Sequence, residues 1–371
     1  MKFNKKTMGM AIGMACATMM VTPAQAFEFG AMGDAKYMTS DEVDATDATV
    51  GSSAFAIGGL DLYARQQIDP KTEAFIEYVF ENDGEGFVLD LERLYLKRDI
   101  NDNLKVGMGR MHSPLGYWNN TFHHGVMIQD TASRPSFLDF EDGAAAILPT
   151  HVIGLTVEGQ AGGLGYEVSM ANSTFLDTSI TGPEIGIGNV ADLSDDKTIF
   201  ARFTYDVEGV NLGLSLMNNS IVEAAATGGT LAQGEELIAQ SITGLDVRYS
   251  YDKLSVLAEY FMMTNDSQTG VGDAKSHDAT AYYLQASYQV NDQFRPTVRI
   301  ESLDFDSSLD ATQDAYFTTL GRNEYTANVV ALRYDLDDSN ALTFEYKVTS
   351  FEDATMDDVT EMTLDWSFLM F

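Results

Sequence analysis

Apolar and polar residues alternate with a period of two along most of this 371-residue chain, and helical periodicity is nearly absent. In TGLDVRYSYD (243–252), Leu245, Val247, Tyr249 and Tyr251 share one face, opposite Asp246, Arg248, Ser250 and Asp252. FRPTVRIES places Pro296, Val298 and Ile300 against Arg295, Thr297, Arg299 and Glu301. ALTFEYKVT sets Leu342, Phe344, Tyr346 and Val348 against Thr343, Glu345, Lys347 and Thr349, and TIFARFTYDV keeps Arg202, Thr204 and Asp206 on its polar side. Alternation sustained over about ten residues predicts strands with one apolar face. One strand breaks phase: FVLDLERLYLK changes its apolar face between Leu91 and Leu94, which predicts a bulge near Glu92.

The connections separate a sandwich from a barrel. Short polar turns fall near 68–72, 99–102, 159–163, 207–210, 251–253, 290–293 and 335–339. Between them lie longer connections at 81–86, 112–150, 172–197, 219–241, 264–279, 305–323 and 352–357. Short and long connections therefore take turns, as in a transmembrane barrel with tight turns on one rim and large loops on the other. With FEFGAMGDAKYMTS (27–40) as the first strand, the breaks predict an all-β antiparallel barrel of sixteen strands, both termini on the periplasmic side. Sixteen strands enclose a water-filled lumen. The charged inner faces then need only meet water, whereas in a dry core each would require a partner.

The chain ends refine this picture. Residues 1–26 read as a cleaved signal sequence: Lys2, Lys5 and Lys6, an apolar run too short to span a bilayer, then Ala24 and Ala26 in an Ala-x-Ala pattern. Residues 27–371 form the barrel domain. Cleavage would remove the single Cys and three of the 22 Lys and Arg, but none of the 56 Asp and Glu. The net charge then moves from −34 to −37. Such acidity argues against a nucleic-acid partner. No later stretch approaches 18 consecutive apolar residues, which argues against helical spans.

These features together resemble the Gram-negative outer-membrane porins over essentially the whole mature chain. ERLYLKRDINDNLKVGMGR (92–110) resembles the porin hairpin that leads into the third outer loop, and Phe371 resembles the family's terminal Phe. The resemblance implies residence in the outer membrane among lipid and lipopolysaccharide, and recognition of Phe371 by the barrel-assembly machinery. It also implies a third loop, here about 112–150, that folds into the lumen as a constriction. A homotrimer is left open, because ENDGEG is too short for the family's intersubunit latch. The acidic Pro-x-x-Phe-Gly-Gly element of general porins is absent. The last strand alternates as Met362, Leu364, Trp366, Phe368 and Met370, out of phase with Phe371.

On this reading the chain is a passive, cation-preferring diffusion channel for small hydrophilic solutes. Asp130, Asp139, Glu141 and Asp142 form the acidic side of the constriction, and Arg65, Arg202, Arg248, Arg299 and Arg333 the basic wall. Tyr63, Tyr95, Tyr117 and Trp118 offer a stacking track, which keeps a sugar- or oligosaccharide-selective porin as the alternative. A non-channel anchor or adhesin is a second alternative. No catalytic residue is assigned, since there is no G-x-S-x-G. No cofactor is expected. His112, His123 and His124 are the only transition-metal candidates, without a metal-site spacing. Weak Ca²⁺ or Mg²⁺ binding is expected at acidic outer loops such as Asp41 to Asp47, Asp306 to Asp314 and Glu352 to Asp358.

Overall fold

The computed structural model describes residues 27–41, 53–82, 86–122, 125–139, 147–179, 185–186, 192–267, 276–306, 323–353 and 356–371. The signal sequence, most of the first acidic loop, His123, His124, Glu141, Asp142, Asp310 and Asp314 lie outside the described residues.

Sixteen strands close into one antiparallel barrel. They are β1 (Phe27–Ser40), β2 (Ser53–Asp69), β3 (Thr72–Asn82), β4 (Phe87–Asn101), β5 (Leu104–His112) and β6 (His151–Ala161). Then follow β7 (Leu164–Asn172), β8 (Lys197–Val207), β9 (Val210–Glu223), β10 (Glu236–Tyr251) and β11 (Leu254–Ser267). The circuit ends with β12 (Ser276–Tyr288), β13 (Phe294–Phe305), β14 (Tyr325–Asp337), β15 (Asn340–Phe351) and β16 (Val359–Met370). Each strand pairs with its sequence neighbour, and β1 also pairs with β16, so no edge is left open. A small hairpin, Phe175–Leu176 with Ile185–Gly186, sits in the connection between β7 and β8 and pairs with the end of β9.

The alternation read in the sequence maps onto two surfaces. On β10, Leu245 and Val247 are 47% and 41% exposed on the barrel exterior, while Asp246 between them is 2% exposed. Val298, Ile300, Phe344 and Tyr346 likewise face outward, and Arg299, Glu301 and Glu345 are buried on the inner side. On β16, Leu364, Trp366 and Met370 face outward. An outer face without ordinary core partners suits lipid, since burial there comes from hydrocarbon.

The bulge lies where the phase break put it. Glu77 on β3 pairs with Arg93 of β4, and the next residue, Tyr78, pairs with Leu91, so Glu92 is the extra residue. That insertion keeps Leu89, Leu94 and Leu96 all on the outer face. It also turns Glu92 inward, where its Oε2 lies 3.1 Å from His151 Nε2. Deleting Glu92 should therefore still give a folded barrel, because the ladder becomes regular. Deleting Tyr95, an in-register residue, forces either Arg93 or Lys97 to face lipid, which costs about 2–4 kcal/mol near the midplane. Heat-modifiable migration on gels reads both outcomes; equal folding of the two deletions would refute the phase argument.

The outer connections between β9 and β10 and between β11 and β12 are shorter than the sequence suggests, at 224–235 and 268–275 rather than 219–241 and 264–279. The reason is a ladder of side-chain amides. Asn219 Nδ2 donates to Gln240 Oε1 (3.1 Å), Gln240 Nε2 to Asn265 Oδ1 (2.8 Å), and Asn265 Nδ2 to the His277 carbonyl (3.1 Å). Polar residues that read as loop thus extend four strands, because amides satisfy one another across the sheet.

Candidate functional site

The 113–150 segment leaves the barrel between β5 and β6 through a narrow neck. His112 pairs with His151, their rings 5.1 Å apart. Ser113 N–H donates to the Thr150 carbonyl (2.7 Å), and the Asn119 amide donates to the Ser113 carbonyl (3.2 Å). Beyond the neck, the segment lies against inward-facing side chains of strands far away in sequence, and its aromatic residues enter the main apolar cluster.

Carboxylates on the wall hold the segment by its backbone N–H groups. Glu259 on β11 accepts from Tyr117 N–H and Trp118 N–H (2.7 Å each) and from the Tyr283 hydroxyl (2.7 Å). It thereby caps the short helix α1 (Trp118–Phe122). Gly116, with φ +71°, approaches so closely that a Cβ there would meet Glu259 Oε2. Glu301 accepts from Ser136 N–H (2.7 Å), and Glu345 from Ala132 and Ser133 N–H (2.8 and 3.2 Å).

Cations on the same wall take the segment's carbonyls and hydroxyls. Arg299 donates to the Ser133 and Arg134 carbonyls (2.9 and 3.1 Å) and to the hydroxyls of Thr131 and Ser133 (2.9 Å each). Arg333 donates to the Gln129 carbonyl (2.7 Å), and Lys347 to Ser136 Oγ (2.8 Å). Arg295 forms an ion pair with Asp130 (2.5 Å). Apolar packing completes the attachment: the Trp118 and Tyr283 rings meet edge to face at 5.6 Å, and Phe137 lies 6.0 Å from Phe261. The hydrogen bonds and ion pair from the wall to the segment each join residues more than 140 positions apart.

These placements define what each sequence-predicted residue does locally. Arg299 and Arg333 are 1% and 4% exposed and engaged with the segment's backbone. Arg202 is buried beside Asp246 (2.7 Å) and Ser215. Arg248 stands over the Tyr117 ring, 4.1 Å from its centre. Arg65 is half-exposed and pairs with Glu73 (3.4 Å). Asp139 closes a 3₁₀ turn over Ser136–Leu138.

Of the proposed stacking residues, Trp118 is 1% exposed and belongs to the core. Tyr95 is likewise buried, in a cluster with Phe75 and Met111, and Tyr63 is partly buried against it; Tyr63 and Tyr95 flank Phe75 in a row of near-parallel rings, at 6.3 and 5.3 Å. Arg93 lies over the Phe75 ring at 4.5 Å and Lys97 over Tyr95 at 5.1 Å. Phe75 was not singled out in the sequence; its inward phase beside Glu77 is the signal that identifies it. His112 adjoins His151, and no group of three or more His, Cys, Asp or Glu able to hold a metal occurs among the described residues. At the outer rim, Asp41 and Thr360 are joined by mutual hydrogen bonds where β1 ends and β16 begins.

No protein-family model and no curated protein sequence matches the chain. Solved structures do match across nearly its full length. The outer membrane channel DcaP of Acinetobacter baumannii aligns with a TM-score of 0.67 and 12% identity, over 94% of this chain and 98% of that one. The anion-selective porin from Comamonas acidovorans gives 0.63 and 12%, over 94% and 100%. OmpF of Salmonella typhi, in complex with daunomycin, gives 0.60 and 10%, over 93% and 98%. At these identities the likeness is one of architecture, down to sixteen antiparallel strands closed without an edge: the chain has the fold of the Gram-negative outer-membrane porins.

Proposed function

We propose that this protein is a passive diffusion channel of the Gram-negative outer membrane for small hydrophilic solutes and ions. The observation that carries the reading is a closed barrel whose strands turn apolar side chains outward and ionic ones inward, as Leu245, Asp246 and Val247 do on β10. Such a cylinder excludes lipid and admits water. The 113–150 segment is the constriction, held across the lumen by Glu259, Arg299, Glu301, Arg333 and Glu345. No step of the reading requires catalysis.

Cation preference is the finer part of the proposal. It is supported by the excess of carboxylates over the whole chain and by exposed Asp41, Glu352, Asp353, Asp357 and Asp358 at the outer end of β1, β15 and β16. Acidic mouths concentrate cations within a screening length of about 8 Å at physiological salt. Reconstitution in planar bilayers under a KCl gradient tests both parts. Stepwise conductance with a cation-selective reversal potential is expected, and neutralising Asp139, Glu141 and Asp142 should reduce the selectivity. Anion preference would refute the selectivity alone, and membranes that stay silent would refute the channel.

Tyr63, only partly buried at the end of its row with Phe75 and Tyr95, favours a second reading, a channel selective for solutes that stack on a ring, such as sugars. Current that saturates with an oligosaccharide and is blocked by it would favour this reading over a general pore.

A further inference from the structure

The seam that closes the barrel buries two acidic side chains on its inner face. Asp34 on β1 and Asp365 on β16 are 7% and 0% exposed. The β1–β16 register sets Asp34 opposite Ser367 and Lys36 opposite Asp365, so the two carboxyls are diagonal neighbours across the closing ladder. They are hydrogen-bonded to each other. Among the described residues, no other donor reaches Asp34 Oδ2 or either oxygen of Asp365. An ionised carboxylate only accepts hydrogen bonds, so a bond between two carboxyls exists only while one of them carries a proton.

The backbone is shaped to hold the pair. A Cβ on Gly58 of β2 would collide with both Asp34 oxygens, so this carboxyl occupies space that only glycine leaves open. Around the pair stand Lys36 on β1, Asp61 on β2 and Glu345 on β15. Glu77, Arg93 and Arg134 lie around Asp61, and Arg93 is paired with Glu77. Glu345 is engaged by Ala132 and Ser133 N–H, and Lys347 by Glu361 and Ser136. Lys36 can balance one negative charge on the pair; a second, shut away from bulk water beside the first, would stand unbalanced. Asp34 also lines a cavity of about 260 Å³, shared with Arg134 and Asp139 of the long segment, which gives water a route to the proton.

We propose that Asp34 and Asp365 form a proton-sharing carboxyl pair that fastens the β1–β16 seam and loosens it in alkali. Above the ordinary carboxylate range the unfolded chain has both acids ionised, while the closed seam keeps one proton between them. The folded state therefore binds one proton more, and stability falls as pH rises until that proton leaves. Beyond that point two negative charges face one lysine across the ladder that joins the first strand to the last. The pair titrates as a unit, so the proton belongs to neither residue alone.

Equilibrium unfolding in urea tests this on the whole barrel in phospholipid vesicles, between about pH 6 and about pH 9, above the carboxylate range and below that of lysine. Asp365→Asn keeps the size of the side chain and offers Asp34 an N–H in place of the shared proton. The folding constant of the unaltered protein should fall relative to that of Asp365→Asn by about tenfold per pH unit, the effect of one proton. Asp61→Asn, beside the pair but outside it, should keep the decline. Infrared spectra supply a readout that packing alone would not move. The C=O band of a protonated carboxyl should be present at neutral pH, shift on isotopic labelling of aspartate, and weaken in Asp365→Asn. Parallel pH profiles for the unaltered protein and Asp365→Asn would overturn the pair, as would a decline abolished in Asp61→Asn instead. If Asp365→Asn does not assemble, Asp34→Asn takes its place. If neither does, the labelled unaltered protein decides: no aspartic-acid band at neutral pH refutes the shared proton.

Discussion

Glu259→Ala should loosen the first limb of the proposed constriction and raise single-channel conductance and its noise. In the intact protein one carboxylate receives two backbone N–H groups of the segment, from Tyr117 and Trp118, and the Tyr283 hydroxyl. Hydrogen bonds to a charged acceptor contribute about 1.5–3 kcal/mol each. Losing both N–H contacts shifts the equilibrium between docked and released limb by at least about two orders of magnitude. The barrel itself should survive, because its strands are held by ladder hydrogen bonds that do not involve Glu259. Glu259→Gln, which keeps one carbonyl acceptor in place, should fall between the two. Protease accessibility near Tyr117 supplies a second readout. Conductance and cleavage both unchanged in Glu259→Ala would show that aromatic packing of Trp118 and Phe137, not the carboxylate, fixes the segment.

The second large effect is on stability. Arg299 is fully enclosed, makes four contacts to residues 131–134 and lies 3.7 Å from the Glu301 carboxylate. Arg299→Ala leaves that buried carboxylate without its counter-charge and strips the segment's carbonyls of donors. Removing one member of a buried ion pair costs about 3–5 kcal/mol, far more than the pair contributes relative to an apolar substitute. The midpoint for heat-induced loss of the folded band in detergent should fall markedly in Arg299→Ala. Much of it should return in Arg299→Met combined with Glu301→Gln, which removes both charges and keeps volume. A double variant no more stable than the single one would mean that the guanidinium contacts to the segment, rather than the stranded Glu301, dominate.

Both predictions turn on wall residues whose inward orientation is legible from alternation, but whose partners are not. Arg299 and Arg333 read in the sequence as a water-facing basic wall opposite loop carboxylates. In the folded chain they hold the segment's carbonyls, and of the loop acids assigned to the constriction Asp130 meets Arg295. Glu259, Glu301 and Glu345 read as three more inward charges among many, yet they receive the segment's N–H groups. Asp34 and Asp61 drew no notice, because β1 and β2 alternate weakly and both carry glycines. Trp118, a stacking candidate by composition, is enclosed, while Phe75, unremarked in its strand, sits at the centre of the ring row.

Strand number, the sorting of short turns from long connections, the outward and inward faces and the bulge at Glu92 were all determined by local order. A period of two needs only near neighbours, and one inserted residue reverses it detectably. The wall contacts of the described residues between 113 and 139 were decided by tertiary structure alone. They reach strands more than 140 residues onward, and a backbone N–H or carbonyl carries no residue-specific mark to say which buried carboxylate or guanidinium will meet it.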